Sequence, residues 1–433
     1  MTIGTMIGET AKTGRLIYLP PIIVRLALGG SVDRDGDDVV MKFPGDDPVT
    51  MSEEDFVLAS KIAIQLRQTI PTPLSASAII NAVGDAHRLL SEEMFLAGAG
   101  RVLYFPMHAA GSLFYRCILP VVAMNAGTRL KGFVSKNRVA REAADFDVVV
   151  FQIDHSPRTI QLVRQLQAMG KKCVFEIDDA FDAMEDWHAF SDQYKRDEEK
   201  KLVIEMMTTC DAVVVSTNWL RLRYGVYNPK ITVIPNMIPV DDWFQAIRPD
   251  SQESYNEFRV LWAGSPSHWG DLEIVGKALS KFAQTHATVK LVFFGREPVG
   301  LDVPKSQVEV HEFVDFSVYP QKLAELSADV AIAPLADVPF NRAKSNVKIL
   351  EYWATGYPVV ASSVGPYLDT ITSGKDGILC ETEEEWVTSL EALYTRPSLR
   401  RELRAAGLES VKLYSVGKLT ARVEDFFLSL AKG

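Results

Sequence analysis

Three charged residues stand near the start of a mostly apolar stretch, in the segment AKSNVKILEYWATGYPVVAS at 343–362. Lys344, Lys348 and Glu351 are spaced four and three residues apart, so a helix would place them on one side. Amide N–H groups at a helix start suit a phosphate, and Lys344 adds a full charge there. A carboxylate further along can accept hydrogen bonds from ribose hydroxyls. This spacing indicates a nucleotide diphosphate site; a surface Lys348–Glu351 ion pair is the alternative.

The helix that would carry these residues has clear end signals in the sequence. Ser345 is a good N-cap for a helix that begins near Asn346, and Gly356 suits the position just after the helix ends. Apolar residues at Val347, Leu350 and Ala354 form one face, which predicts a largely buried helix. Its charged edge should therefore face a ligand.

Two series of apolar strands alternate with helices after residue 98, and this pattern predicts an α/β fold. Strands such as FDVVVFQID and VKLVFFG are apolar throughout, which is typical of parallel sheets covered on both faces. We expect two Rossmann-like doubly wound domains that face a cleft. The predicted boundaries are a mostly helical appendage at 1–97, a first domain at 98–252 with helix 414–433 packing back on it, and a second domain at 253–413.

Composition limits the class of protein. The chain has 433 residues, 47% of them hydrophobic, and a formal charge of −10, which disfavours disorder and a generally basic nucleic-acid coat. Four scattered cysteines predict buried thiols in a reducing, cytoplasmic compartment rather than disulfides. No secretory signal is recognisable. The apolar run at 16–28 contains two prolines and an arginine, so a core segment is favoured over a membrane-touching one.

The segments DVAIAPL and FNRAKSNVKILEYWATGYPVVAS resemble the donor site of GT-B glycosyltransferases, in the large retaining family numbered four. RVLWAGSPSHWGDLEIV resembles the first loop of the same domain. The resemblance covers roughly 100–433. It implies transfer of a sugar from a nucleotide diphosphate sugar to an acceptor hydroxyl, with retention at the anomeric carbon and no obligatory metal or other cofactor. A UDP-sugar is the expected donor, and a GDP-sugar is the alternative.

The resemblance also implies roles for individual residues in the second domain. Glu351 matches the residue that binds the donor ribose. Contacts to the donor diphosphate or to the nucleotide pocket are expected from Gly264, Ser265, Arg296, Lys344, Ser345 and Asn346. Ala343 stands where many relatives have a second glutamate, which places the contact to the transferred sugar in question. His268 falls near the expected basic residue of the first loop.

Candidate residues in the first domain follow its strands. The resemblance implies that His155 contacts the donor sugar, and a structural turn histidine is the alternative; His155, Lys344 and Glu351 are the catalytic candidates. The acceptor side is expected to involve His108, Gly111, Ser112, Asp154, Asp178 and Asp179. Paired acids such as Asp178 and Asp179 could bind a metal or acceptor hydroxyls, although no metal site is predicted. Asp179 as a helix N-cap is the alternative.

The acceptor stays open at the level of the sequence. A surface glycan is the default, and hydroxymethylated DNA is the alternative. Residues 128–141 carry a local excess of arginine and lysine, which could contact a lipid phosphate, a teichoic-type polymer or DNA, although a solvated face is favoured. The sequence is also compatible with a sugar-nucleotide epimerase or with a non-catalytic nucleotide-sugar-binding protein. It does not indicate the oligomeric state.

Overall fold

The computed structural model describes five short strands near the N-terminus and most of residues 100–431. Outside the described residues lie 1–6, 10–14, 19–30, 36–37, 43–48, 53–99, 108–110, 128, 136–137, 187–190, 195, 245–246, 248–256, 265–268, 296–299, 315–317 and 432–433. The chain divides into two compact units. The first contains Met1–Gln152, Gln165–Cys173 and Val423–Gly433, and the second contains Ile153–Arg164 and Val174–Arg422.

The strands are β1 Ile7–Glu9, β2 Arg15–Tyr18, β3 Ser31–Asp35, β4 Asp38–Lys42, β5 Val49–Ser52, β6 Arg101–Phe105, β7 Lys131–Ser135, β8 Val148–Gln152, β9 Lys172–Ile177, β10 Ala212–Val215, β11 Ile231–Val233, β12 Phe258–Ala263, β13 Val289–Phe294, β14 Val308–His311, β15 Val330–Ala333, β16 Val359–Ser362 and β17 Ile378–Cys380.

The α-helices are α1 Gly111–Leu113, α2 Leu119–Ala126, α3 Ala140–Ala143, α4 Pro157–Ala168, α5 Ser191–Tyr194, α6 Asp197–Thr209, α7 Asn218–Tyr224, α8 Val240–Phe244, α9 Trp269–Thr285, α10 Tyr319–Glu325, α11 Pro339–Ala343, α12 Val347–Ala354, α13 Pro366–Thr370, α14 Glu383–Thr395, α15 Pro397–Ser410 and α16 Val416–Ala431. A π-helical turn at Phe114–Ile118 joins α1 to α2, and 3-10 turns lie at Phe181–Ala183, Lys305–Gln307 and Val411–Tyr414.

Parallel strands form the centre of the sheet in the first unit. Strand β6 pairs in parallel with β7 on one side and with β8 on the other. Strand β2 then pairs antiparallel with β7, and β1 pairs antiparallel with β2. The residues of β8 are all buried, which explains why this strand is apolar at nearly every position.

The second unit contains a six-stranded parallel sheet with the order β14-β13-β12-β15-β16-β17. Counted from β12, this is the 3-2-1-4-5-6 order of a Rossmann domain. The chain fills one side of the sheet before it returns to the other, so the switch point lies between β12 and β15. Ligands of such sheets bind at the carboxyl ends of the strands beside this point. Strands β9, β10 and β11 also pair in parallel in that order. The predicted α/β fold class with two Rossmann-like parts is confirmed.

Two apolar cores cover the faces of the six-stranded sheet. Leu261, Ala263 and Phe294 belong to one core, which also contains the buried face of α12. Val260 and Trp262 belong to the other, against α9 and α14. Alternate residues of β12 thus enter opposite cores, as the pleat of a strand requires.

The strands of the N-terminal region, β1 to β5, pair with one another in antiparallel fashion. In addition to β1 and β2, strands β3, β4 and β5 form a three-stranded antiparallel sheet. The helices of the mostly helical appendage predicted for 1–97 would fall within 53–99, outside the described residues, so they stay predictions.

Hydrogen bonds and ion pairs connect the last helix, α16, to the loop after α2 in the first unit. Buried Glu424 accepts hydrogen bonds from the backbone N–H and the Nε of Arg129, both at 3.0 Å. Asp425 pairs with the same guanidinium at 2.8 Å. The ring of Phe427 packs edge-on against Tyr104, with 6.0 Å between centroids. Arg129 therefore has two acidic partners within the chain.

All four cysteines are buried thiols, as predicted. Burial raises the pKa of the Cys380 thiol to about 11, so this thiol stays protonated at neutral pH. Among the described residues, no helix is both long enough and apolar enough to cross a bilayer.

Two glycine backbones touch at the carboxyl ends of β12 and β13. The N–H of Gly264 donates to the carbonyl of Phe294 at 3.0 Å. Gly295 has a φ of +119°, and a Cβ added to it would lie 2.2 Å from the carbonyl oxygen of Gly264. Position 295 therefore accepts only glycine, because both the backbone conformation and the space exclude a side chain.

The substitution Gly295→Ala is expected to destabilise the protein by about 2–4 kcal/mol, since it adds backbone strain and forces two strand ends apart. Urea unfolding measures this loss. Gly276→Ala is the matched control, because Gly276 lies inside α9 with nothing within 4 Å of an added Cβ. That variant should gain about 0.5–1 kcal/mol from reduced backbone entropy. Equal stability of the two variants would contradict the prediction.

Candidate active site

Helix α12 begins later than the sequence suggested. Asn346 occupies the N-cap, and the helix starts at Val347. Ser345 as N-cap was therefore wrong. The side chain of Asn346 does not cap the first turn; its Nδ2 donates to the hydroxyl of Thr370 at 3.0 Å. The N–H of Ile349 donates to the carbonyl of Asn346 at 2.9 Å, and the N–H groups of Val347 and Lys348 donate no hydrogen bond to the side chain of the N-cap residue.

The other end of α12 follows the prediction. Gly356 lies just after the C-cap with a φ of +80°, as expected for a glycine in the left-handed region. The N–H of Gly356 donates to the carbonyl of Trp353 at 3.0 Å, and that of Tyr357 to the carbonyl of Tyr352 at 2.9 Å. These two bonds form a Schellman motif, which ends the helix and satisfies its last carbonyls.

Two side chains of helix α12 form hydrogen bonds with the backbone of Ala263, the last residue of β12. The N–H of Ala263 donates to the hydroxyl of Tyr352 at 2.8 Å, and the ammonium of Lys348 donates to the carbonyl of Ala263. The same ammonium lies 4.8 Å from the ring centroid of buried Trp262. A Cβ added at Gly264 would lie 2.8 Å from this ammonium, so the first loop of the domain directly adjoins Lys348. The spacing in the sequence singled out Lys348, although it was not among the donor-binding residues that the resemblance implied.

The charge of Lys348 is held in surroundings of low polarity. Burial lowers its pKa to about 8, while Glu351 and Asp271 act to raise it and Lys344 lowers it further. This folded-state pKa lies below the 10.5 of an exposed lysine. The buried charge therefore costs stability below about pH 8, and the cost is relieved as pH rises from there toward the ordinary pKa of lysine.

Glu351 lies in the interior of the second unit, with 8% of its surface exposed. The hydroxyl of Tyr319 donates to its Oε2 at 3.2 Å. Burial and the neighbouring carboxylate raise the pKa of Tyr319 well above its usual value, so the hydroxyl stays a donor. The alternative of a surface Lys348–Glu351 pair is excluded by this burial.

Lys344 does not share a helix with Lys348 and Glu351. It follows α11 in extended conformation, and its ammonium lies 4.5 Å from the ring centroid of Phe340. The predicted four-residue helical spacing from Lys344 to Lys348 was therefore wrong. Lys344 still lies near enough to lower the pKa of Lys348.

Asp271, on the first turn of α9, organises the segment that precedes Lys344. Its carboxylate is 2% exposed, and Oδ1 accepts from the N–H of Ala336 at 3.0 Å and from the amide of Asn341 at 2.6 Å. Asn341 also donates to the carbonyl of Ala336 at 3.0 Å. Asp271 thus joins the start of α9 to the loop after β15, across the switch point of the sheet.

His155 lies in the second unit with both ring nitrogens facing acceptors. Nδ1 is 2.7 Å from the carbonyl of Ile153, and Nε2 is 2.9 Å from the carboxylate of Glu199. Ile153 has a φ of +58°, a strained conformation for a β-branched residue that the bond from His155 helps to hold. These contacts favour the structural alternative for His155, and its contact with the donor sugar stays a prediction.

The acidic residues after β8 and β9 have internal contacts. The carboxylate of Asp154 accepts from the N–H of Ser156 at 3.1 Å and from the hydroxyl of Thr159 at 2.8 Å, at the start of α4. Asp178 and Asp179 are half-buried. Asp179 as a helix N-cap was wrong, because Ala180 precedes the 3-10 turn at 181–183.

Asp182 and the acids near it show no arrangement for a metal. Asp182 accepts from Arg223 at 2.8 Å and from the hydroxyl of Tyr224 at 2.8 Å, which anchors α7. Among the residues that the structure describes, no group of three potential metal ligands occurs.

Two of the other candidate residues lie in the first unit, and four lie outside the described residues. Gly111 and Ser112 begin α1 in the first unit. The following candidates lie outside the described residues, so their roles stay predictions: His108, Ser265, His268 and Arg296. Of the predicted donor residues, the structure brings Gly264 and Glu351 together with the added Lys348 around the end of β12.

Part of the chain is similar in sequence to known glycosyltransferases. Residues 257–396 match the family described as glycosyl transferases group 1. A stretch of 119 residues is 31% identical to a D-inositol 3-phosphate glycosyltransferase from Nocardioides sp., and covers 27% of this chain and 25% of that protein. The enzyme of the same description from Pseudarthrobacter chlorophenolicus is 24% identical over 201 residues, or 43% of this chain and 48% of the relative. The chain thus spans about a quarter to a half of the length of these curated relatives.

Solved structures share the fold over a longer stretch. The crystal structure of Anabaena Alr3699/HepE with UDP has a TM-score of 0.56 at 14% identity and covers 76% of this chain and 99% of that one. The same protein with UDP-glucose gives a TM-score of 0.56 at 13% identity, over 76% of this chain and 100% of that one. This chain therefore has the two-domain GT-B fold. Within it, the match to glycosyl transferases group 1 covers residues 257–396.

The substitution Asp271→Ala is expected to lower the free energy of unfolding by about 2–4 kcal/mol, because two buried donors lose their acceptor. Asp271→Asn should lose less, since an amide oxygen can still accept. Asp337→Ala is the matched control in the same loop: its exposed carboxylate pairs with Arg342, and such pairs contribute little. Urea unfolding compares the three variants. An Asp271→Ala variant as stable as Asp337→Ala would contradict the role of Asp271.

Proposed function

We propose that this protein is a retaining glycosyltransferase that takes its sugar from a UDP-sugar. One observation carries the proposal: Lys348 and Glu351 converge with the uncapped start of α12 at the switch point of a Rossmann sheet. Cationic and N–H donors suit a diphosphate, and the carboxylate suits ribose hydroxyls. The family match of residues 257–396 and the likeness to a fold that binds UDP support the same donor.

The arrangement would act on the leaving group of the reaction. When the bond between the sugar and the diphosphate breaks, negative charge grows on the diphosphate oxygens. Lys348 and the N–H groups at the start of α12 would stabilise this charge, and Lys344 would add a second cation. Glu351 would hold the ribose, so the diphosphate is kept at the helix start while the acceptor hydroxyl attacks the sugar.

The acceptor is proposed to be a hydroxyl of a glycan or a related sugar alcohol. The two curated relatives are named for an inositol phosphate acceptor, which is consistent with this class. For the DNA alternative, one arginine of the basic stretch 128–141 already has acidic partners, and the guanidinium of a second already donates to a backbone carbonyl. Arg129 pairs with Glu424 and Asp425, and Arg138 donates to the carbonyl of Pro106.

Isothermal titration should show UDP binding to the wild type and a roughly 10- to 100-fold loss in Glu351→Ala, because a charge-assisted hydrogen bond to ribose is removed. Titration with GDP tests the alternative base. Inorganic pyrophosphate lacks the ribose, so its affinity should fall less than that of UDP; the part that falls reflects the loss of the carboxylate that favours protonated Lys348. Glu325→Ala is the control, since Glu325 is an exposed glutamate on α10. Equal UDP affinity of wild type and Glu351→Ala would refute the assignment of the donor site.

Turnover separates the proposed activity from its alternatives. A glycosyltransferase releases UDP from a UDP-sugar at a rate that rises with acceptor, and hydroxymethylated DNA can be tested beside glycans and sugar alcohols. An epimerase would convert the donor without acceptor. A non-catalytic binding protein would bind the donor and release no UDP.

The affinity for UDP is expected to fall as pH rises above about 8. Below that value Lys348 is already protonated; above it, binding must take up a proton, so Kd should rise up to tenfold per pH unit. Glu351 and Asp271 favour the charged lysine, and Lys344 opposes it. Titrations from pH 7 to 10 measure the slope. Lys348→Arg keeps its charge throughout and should lose the slope, so an unchanged slope in that variant would contradict the prediction.

A further inference from the structure

An aromatic cluster lies beside Glu351, at the carboxyl ends of β13 and β14. Phe294, Phe313 and Tyr319 form it, and the three rings are close to parallel. The centroids of Phe294 and Tyr319 are 5.4 Å apart at an interplanar angle of 16°, and those of Phe294 and Phe313 are 5.8 Å apart at 27°. Phe313 and Tyr319 complete the cluster at 5.6 Å and 31°.

The three rings differ in their exposure. Phe294 and Tyr319 are buried, whereas 53% of Phe313 is exposed. A single exposed phenylalanine is common on protein surfaces. Phe313 differs because one side of its ring packs against two buried rings, which restricts its orientation. The rest of its apolar surface is exposed to water. A fixed ring of this kind is suited to stacking against a flat ligand.

The cluster is linked directly to the candidate ribose site. Tyr319 contacts Phe313 through its ring and donates its hydroxyl to the carboxylate of Glu351 at 3.2 Å. One tyrosine therefore separates the exposed ring from the carboxylate proposed to hold the ribose. A nucleobase is attached directly to the ribose, so a base extending from that position would reach a surface about one aromatic side chain away.

We propose that Phe313 is the stacking platform for the base of the nucleotide, in a proposal that rests on the proposed function of Glu351. The ligand class is a nucleoside diphosphate, and the base contributes through its π-face. Stacking of this kind tolerates different bases, because each base presents a flat face. Phe313 therefore supplies affinity for the nucleoside, while the choice between uracil and guanine must come from other groups.

The test compares Phe313→Ala and Phe313→Leu with Phe313→Trp by isothermal titration with UDP. Loss of the ring in the first two variants should weaken UDP binding roughly 5- to 100-fold, whereas Phe313→Trp should bind at least as well as wild type. Ribose 5-phosphate and inorganic pyrophosphate lack a base, and their affinities should not change in any variant. Leu413→Ala removes another exposed apolar side chain and should leave UDP binding unchanged.

The outcomes separate this inference from the proposed function. Wild-type protein that binds no UDP would overturn both. Wild-type protein that binds UDP, with Phe313→Ala binding equally well, would overturn only the stacking role. A parallel loss of pyrophosphate affinity would show a general disturbance of the site and would also overturn it. Thermal unfolding of each variant confirms that the protein compared is folded.

Discussion

The candidate site depends on the attachment of α12 to the last residue of β12. A strand that ends at the edge of a parallel sheet leaves backbone groups that need partners. At Ala263, Tyr352 accepts from the N–H and Lys348 donates to the carbonyl. These side chains are four residues apart on the helix, so both bonds form only in one register. Glu351 lies between them in sequence, and its position relative to Gly264 is fixed by the same two bonds.

This attachment places a charge where water cannot solvate it fully. An ammonium with little access to water is costly unless other groups stabilise it. Here the carbonyl of Ala263, the ring of Trp262 and the charges of Glu351 and Asp271 reduce the cost, and Lys344 increases it. The lowered pKa of Lys348 indicates that these groups do not fully offset the cost of burying its charge in the protein without ligand. A bound diphosphate would place negative charge beside Lys348. The electrostatic cost of the buried ammonium in the free protein would therefore favour binding.

Local features of the site were predictable from sequence, and long-range partners were not. Apolar strands and the left-handed glycine at 356 follow from a few adjacent residues. Ser345 failed as N-cap because the helix starts one residue later than its sequence signal indicated, and Asn346 takes that position. The contacts of Glu351 with Tyr319 and of His155 with Glu199 join residues 32 and 44 positions apart. No spacing rule connects such residues, since only the topology of the sheets brings them together.

Position 343 makes a backbone contact in this protein, where the resemblance implies a side-chain carboxylate in many relatives. Many relatives implied by the sequence resemblance carry a carboxylate there, whereas Ala343 is fully buried and offers only its backbone. Its carbonyl accepts from the hydroxyl of Thr217 at 3.1 Å, and the same oxygen of Thr217 caps α7 by accepting from the N–H of Leu220 at 3.3 Å. A longer acidic side chain at 343 would have to be accommodated at a position that is fully buried here. The segment that leads to Lys344 is thus held by the protein itself, through Thr217 on one side and Asp271 on the other. In the proposed glycosyltransferase, recognition of the transferred sugar would then rely on groups other than the side chain of residue 343.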